Sequence, residues 1–481
     1  MKEYKPTIGM EVHVELKTDS KMFCTCKNEL GLDRIPNSNI CPICTGQPGS
    51  LPVANMMAIE FVLKAGLALN CEIAKISKFD RKNYFYPDLP KGYQISQYDQ
   101  PFCVGGKLGV GNGKIVGITR IHLEEDTGKL LHQKGTDYSL VDFNRAGVPL
   151  LELVTEPDIE SAQEAKKFCE DLQLILRYIG ISDADMEKGQ MRCEANISIS
   201  KDEKEKGTKV EVKNLNSFKS VERAIDFEIK RQAEILEGGK KVLQETRGWD
   251  ESKMQTYAQR EKESAHDYRY FPEPDLPPFE FEKKYIDKIR AELPELPMQK
   301  IERFQTEYHI PNQDAEILSR DKELADFFEN SASEACVLTE NNKNAAKLAA
   351  NYIITVLKKY LDEKTKITDL KLTPENFGEL ISLILQNKIN SSIAQVVLAE
   401  MVRTGADPEH IIAEKNLGQI EDSGEIEKII EKVISENPEP VADYKAGKQA
   451  ALQFLLGQVM KATKGKINPK KAEEMLIKTI K

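Results

Sequence analysis

Between Thr7 and Lys17 apolar and polar residues alternate without a break: Ile8, Met10, Val12, Val14 and Leu16 form one row, and Thr7, Gly9, Glu11, His13, Glu15 and Lys17 the other. A period of two belongs to a strand with one buried face, so Glu11, His13 and Glu15 should point together, away from the core. Short runs at 121–126, 148–154, 192–198 and 209–213 also read as strands. With Gly and Asn turns and a helix over 161–179, they predict one large α+β domain from Tyr4 to about Ser264. The proline-rich stretch 270–278, followed by Pro294 and Pro297, predicts a connector, because proline removes a backbone donor and fixes φ. From Met298 to Met401 the pattern turns helical, rich in Ala, Leu, Lys and Glu. A turn at 404–408 and the acidic stretch 421–425 then open a small C-terminal helical module.

Two acids break the apolar pattern. Glu152 is embedded in Val148-Pro149-Leu150-Leu151-Glu152-Leu153-Val154, where a carboxylate is costly unless a cation or metal compensates it. In Ile121-His122-Leu123-Glu124-Glu125-Asp126 the alternation puts Glu124 with Arg120 and His122 but leaves Glu125 in the row of Ile121 and Leu123. The 192–198 and 209–213 strands each add a polar row, with Glu194 and Glu211. On an isolated strand such rows would be a solvated face. Several carboxylates and an imidazole facing across one sheet could instead hold Mg²⁺, whose preference for hard oxygen suits nucleotide phosphates. Arg81, Lys82, Lys91, Arg145 and the run Lys213-Asn214-Leu215-Asn216-Ser217 offer partners for anions. No G-x-x-x-x-G-K-[ST] loop occurs, which excludes a P-loop as the nucleotide site.

At 481 residues the chain exceeds the size at which one core stops growing, so two or three domains are expected. Hydrophobic residues at 40% and charged residues at 30% suit a soluble globular protein. A net charge of -10 argues against general coating of nucleic acid, so any RNA contact must be a local patch. One such patch is the tail: residues 441–481 hold nine Lys against Asp443, Glu473 and Glu474, a local charge of +6. No apolar run approaches the roughly 20 residues of a membrane span, and the start lacks a signal-peptide core, so a cytoplasmic location is expected.

An odd count of nine cysteines in a reducing compartment makes disulfides poor candidates. Cys24-Thr25-Cys26 and Cys41-Pro42-Ile43-Cys44, separated by an Asn-, Gly- and Pro-bearing loop, have the spacing of four tetrahedral sulfur ligands for structural Zn²⁺. Their Lys, Thr and Asn neighbours set them apart from packing thiols, as which Cys71, Cys103, Cys169, Cys193 and Cys336 are read. A closed four-sulfur site leaves no open position, so its role is folding and not chemistry.

On the stretches 8–16, 79–88, 142–145, 213–217 and 267–275, which include Gly9-Met10-Glu11-Val12-His13 and Asp267-Tyr268-Arg269-Tyr270-Phe271-Pro272, the chain closely resembles the GatB family, the B subunits of aspartyl/glutamyl-tRNA amidotransferases. The resemblance spans essentially the whole sequence. It implies a cradle domain at 1–293 akin to the glutamine synthetase catalytic fold, with the zinc knuckle at 24–44, then a helical domain at 294–405 and a YqeY-like tail at 406–481. It further implies an ATP-dependent carbon–nitrogen ligase that phosphorylates the side-chain carboxylate of Glu-tRNA(Gln) or Asp-tRNA(Asn), after which ammonia displaces the phosphate. Carried over by residue, the Mg²⁺ and catalytic set is Glu11, His13, Glu125 and Glu152. From the polar rows and anion partners, the nucleotide contacts are expected at Arg81, Lys82, Arg145, Glu194, Glu211, Lys213, Asn214, Asn216 and Ser217.

A carboxylate is a poor electrophile because its leaving group would be oxide, and phosphorylation supplies a competent one; acidic strands that bind Mg²⁺ suit that step. The chain has no Ser-rich amidase signature and no G-x-C-x-G nucleophile with which to hydrolyse glutamine. Ammonia must therefore come from a partner, which the resemblance identifies as the GatA amidase with the small GatC subunit. A zinc-stabilised RNA-binding protein without catalysis should not turn over ATP, and Glu125 and Glu152, embedded in apolar rows, tell against it. A free-standing amide ligase should not need tRNA, and the basic tail tells against that.

Overall fold

The computed structural model describes residues 4–29, 35–111, 113–133, 135–202, 205–261, 268–340, 344–362, 365–418, 423–463 and 466–480. Asp267 of the family motif, Lys464 of the tail and Glu421 and Asp422 of the acidic stretch lie outside them. The chain divides into two compact units, 1–296 and 297–481.

The first unit is organised by a ten-stranded sheet. Seven of its strands matter most: β1 (Lys5–Glu15), β2 (Ile115–Glu125), β3 (Pro149–Thr155), β4 (Met191–Ser200), β5 (Val210–Leu215), β6 (Glu245–Asp250) and β7 (Gln255–Glu261). Across the sheet they run β7-β6-β5-β4-β1-β3-β2, and all neighbours are antiparallel except β5 and β6. The β1 alternation is realised: Ile8, Met10, Val12, Val14 and Leu16 are all buried in the core. Ile121 and Leu123 of β2, Leu151 and Leu153 of β3 and Val210 and Val212 of β5 join them. Each such side chain contributes about 1.5–3 kcal/mol when fully buried.

The helices α1 (Met56–Ala68), α2 (Ala162–Tyr178) and α3 (Phe218–Glu237) pack on this core, as does Ile289 of the helix Lys283–Ala291. The helix expected over 161–179 is α2, and its start has a local cause: the Ser161 side chain caps it by accepting from Glu164 N–H at 3.2 Å. Ala165, Phe168, Cys169, Leu172 and Leu176 recur at helical spacing and bury one stripe.

The proline-rich stretch is not the connector its composition suggests. Phe271–Pro272 forms a short strand antiparallel to Asp80–Asn83, which in turn pairs with Tyr93–Ser96. Glu273 and Leu276 are buried. Proline forbids only its own N–H as a donor, so an edge strand two residues long tolerates Pro272.

The second unit is helical throughout its described residues and holds two cores. One runs from Ile301 to Ile411 and includes Phe304, Phe328, Phe377 and Leu398. The other runs from Ile426 to Ile480, where Leu452, Leu455 and Val459 bury one stripe of the helix Gln449–Ala462. The expected boundary at 406 falls inside the first of these cores, because Ile411 of the helix Pro408–Glu414 belongs to it.

Candidate functional site

The polar row of β1 is the axis of the site. Antiparallel register sets His13 opposite Glu152 on β3 and opposite Arg192 on β4, and sets Glu152 opposite His122 on β2. Glu11 faces Glu194 on β4, and Glu211 on β5 faces Asn196. Directly opposed residues stand about 4.5–5.5 Å apart, so strand pairing alone draws these groups into one band across five strands.

Three clusters follow along β1, at Glu11, His13 and Glu15, each two residues and hence about 6.6 Å further on. At Glu11, ligand oxygens of Glu11, Glu194 and Glu211 lie within 4.8 Å of one another. Lys213 stands 2.8 Å from Glu194 and 3.7 Å from Glu211, and the Thr246 hydroxyl donates to Glu211 at 2.8 Å. At His13, Nε2 is 3.3 Å from Glu152 and 3.9 Å from Glu124; His122 Nε2 is 3.2 Å from Glu152 and 3.7 Å from Glu124. At Glu15, Asp126 accepts from Arg192 at 2.6 Å, with Arg145 Nε 3.6 Å away.

The charges are held at a cost. Burial, then Glu152 and Glu194, push Glu11 up to about 7. Burial opposes a charge on His13, but Glu152 and the other acids outweigh it and raise the imidazole to about 9. Burial and then Asp126 push Glu15 up to about 7. Lys82 is desolvated, yet Glu124 and Glu152 keep its ammonium well above the usual lysine range. Its Nζ lies 5.4 Å from the Tyr268 ring centre. Carboxylates this crowded suit a divalent cation, and the Glu11–His13–Glu152 and Glu11–Glu194–Glu211 donor sets are rich in hard oxygen.

Sequence reasoning missed Glu124, His122, Asp126 and Arg192 as site residues. The alternation signal for the first two was present, since Glu124 and His122 share the row that faces His13.

Two expected residues do not join the band. Glu125 points to the other side of its strand, where Lys91 Nζ lies 2.6 Å away and Ile95 N–H donates at 3.0 Å. Its burial in an apolar row is compensated by that lysine. Arg81 is bound in bidentate fashion by the buried Glu273, at 2.7 and 2.8 Å, and lies over the Tyr93 ring at 4.3 Å. It anchors the 271–276 segment, while the next residue, Lys82, faces the acids. Arg145 is at the band, with Nε and Nη2 donating to the Thr127 and Gly128 carbonyls at 3.0 and 2.9 Å.

Beyond Lys213 the chain turns sharply, with Asn214 at φ 65°, and Ser217 caps α3 by accepting from Ser220 N–H at 3.0 Å. Asn214, Asn216 and Ser217, with Trp249, Lys253 and Tyr257, line a cleft of about 920 Å³. The four knuckle sulfurs lie within 4.8 Å of one another, with Cys41 and Cys44 Sγ 3.7 Å apart. A tetrahedron of Zn–S bonds near 2.3 Å has an edge of about 3.8 Å.

The family model described as the GatB/GatE catalytic domain matches residues 6–287, and that of the GatB domain matches 334–480. The chain is 50% identical to the B subunit of the aspartyl/glutamyl-tRNA(Asn/Gln) amidotransferase of Carboxydothermus hydrogenoformans, over 99% of this chain and 98% of the relative. It is 51% identical to that of Persephonella marina, over 100% of both chains, and 48% to that of Thermotoga maritima, over 99% of both. Matches of this extent, on a sheet whose paired strands carry the motif residues, show that the chain belongs to the GatB/GatE family.

Proposed function

We propose that this chain is the phosphorylating and amide-forming subunit of a tRNA-dependent amidotransferase, acting on Glu-tRNA(Gln), Asp-tRNA(Asn) or both. The band of acids and histidines across five strands, with cations at both ends, is the observation that carries this reading. The amidotransferase relatives support it, and their naming as B subunits implies further subunits, which we take to be the GatA amidase and GatC. No described helix is long and apolar enough to cross a membrane.

ATP enters with its phosphates toward Lys213 and the α3 end, where Asn214, Asn216 and Ser217 offer polar contacts. Glu11, His13, Glu152, Glu194 and Glu211 would hold Mg²⁺, which supplies charge neutralisation for phosphoryl transfer when bound. Lys82 faces the same acids and is placed to stabilise charge on the transferred group. An oxygen of the substrate carboxylate attacks the γ-phosphorus, the bond to the β–γ bridging oxygen breaks, and its electron pair leaves with ADP. Ammonia then attacks the acyl carbon and expels phosphate, losing one proton to give the amide. The site supplies fixed charges and position and no covalent nucleophile, as phosphoryl transfer requires. The four cysteines would hold one structural Zn²⁺.

Reconstitution with the amidase partner tests the proposal. Glutamine, ATP and each mischarged tRNA should together give amidated tRNA and ADP in equal amounts. ADP release that does not depend on aminoacyl-tRNA, or amide formation without ATP, would overturn it.

A further inference from the structure

The third cluster on β1 has a different chemistry from the first two. Around Glu11 and His13 the groups are mostly acids, whereas two guanidinium groups, Arg192 and Arg145, meet at the buried Asp126 beside Glu15. Asp126 is itself fixed, since Thr127 N–H donates to its Oδ1 at 2.8 Å. Arg192 Nη2 donates to Asp126 Oδ2 at 2.6 Å, and among the described hydrogen bonds this is the one that Arg192 makes. Its Nε and Nη1 donors are left over. About a third of each arginine side chain is exposed, 34% for Arg192 and 36% for Arg145, although the surrounding acids are almost fully covered. Arg192 is also the cross-strand partner of His13, so its head is held next to the central cluster.

We propose that Arg192, braced by Asp126 and flanked by Arg145, binds the substrate carboxylate that accepts the phosphoryl group. This rests on the function proposed above. A guanidinium presents two parallel N–H groups that match the two oxygens of a planar carboxylate, and such charge-assisted forks are both strong and directional. Position decides between this anion and the phosphates of ATP. The Lys213 cation stands at Glu194, opposite Glu11 on β1, whereas Arg192, two residues away on β4, turns its head to Asp126 at the Glu15 end of the band. In-line transfer needs donor and acceptor on opposite sides of the phosphorus. Arg192 at one end and Lys213 at the other, with the acids between them, meet that geometry. Asp126 touches no substrate in this arrangement and is a positioning residue for the fork.

The test uses R192Q, R192K and D126N in the reconstituted complex. In R192Q, kcat/KM for aminoacyl-tRNA should fall about 30- to 100-fold, the loss of one charge-assisted fork, while the KM for ATP moves less than about twofold. R192K keeps the charge without the fork and should recover only part of the loss. D126N keeps the guanidinium but loosens its brace, so it should show a smaller fall, and the double variant should fall no further than R192Q alone. Equilibrium binding separates this inference from the reading beneath it, because it needs no turnover. Wild-type complex should bind Glu-tRNA or Asp-tRNA more tightly than the same tRNA uncharged, and R192Q should erase the difference. If the KM for ATP rises in step with that for aminoacyl-tRNA, Arg192 serves the triphosphate and the assignment is wrong. If neither constant nor the charged-over-uncharged preference moves in a variant that melts normally, Arg192 is only the partner of Asp126.

Discussion

Glu124 and Glu125 are neighbours in sequence with opposite surroundings: Glu124 accepts from the Ser96 hydroxyl at 2.9 Å and faces His13 and His122, whereas Glu125 is held by Lys91 at 2.6 Å. Glu124→Gln should therefore cost activity above all, with kcat lowered on the order of 10³-fold, the scale of losing a preorganised charge in a transition state, while Glu152 still compensates His13, His122 and Lys82. Glu125→Gln leaves the partly buried Lys91 without its carboxylate and should cost up to about 3 kcal/mol, read as a fall in melting temperature. An E125Q protein that melts normally and yet cannot amidate would return Glu125 to the chemistry.

Removing two sulfurs tests the knuckle. Purified protein should contain about one Zn²⁺ per chain, and the double variant C41S/C44S should lose it and melt at a lower temperature. Metal analysis beside calorimetry checks both points, and unchanged zinc in the variant would sink the assignment.

The basic tail should position tRNA through phosphate. Its core starts at Ile426, and Ile411 belongs to the preceding one, so the informative truncation ends at Leu417 and not at the turn before Pro408. That shorter chain should show a raised KM for mischarged tRNA with a flatter dependence on salt, because lysine–phosphate contacts weaken steeply as counterions compete. Equal affinity for the two lengths across a salt series would assign the tail another task.

Glu379 makes the stability of the second unit depend on pH. Burial, then a hydrogen bond and repulsion from Asp407, push its carboxyl up to about 7 from an ordinary value near 4.5. The folded form then binds the extra proton between those values, so this residue's contribution to stability falls as pH rises from about 4.5 to about 7. Glu379→Gln should raise the melting temperature of the second unit at pH 8 and leave it nearly unchanged at pH 4.5. The opposite ordering in a pair of melting curves would refute the shift.

What the sequence determined by itself was local. A period of two named the buried row of β1 and put Glu11, His13 and Glu15 on its other face, cysteine spacing marked the knuckle, and Ser161 with its apolar stripe announced α2. The strand and helix signals depend on residues within a turn or two of each other, and the knuckle on two such cysteine pairs joined by one short loop. The tertiary structure decided which groups meet. A strand's period fixes the face of a side chain but carries no information about register with a strand more than a hundred residues away, so that Glu152 lies between His13 and His122 could not be read from either segment. The same holds for Glu125 and Arg81, both sensible members of an anion or metal site by composition. Lys91 and Glu273 claim them from other parts of the chain, because a buried charge takes the nearest opposite charge that the fold provides.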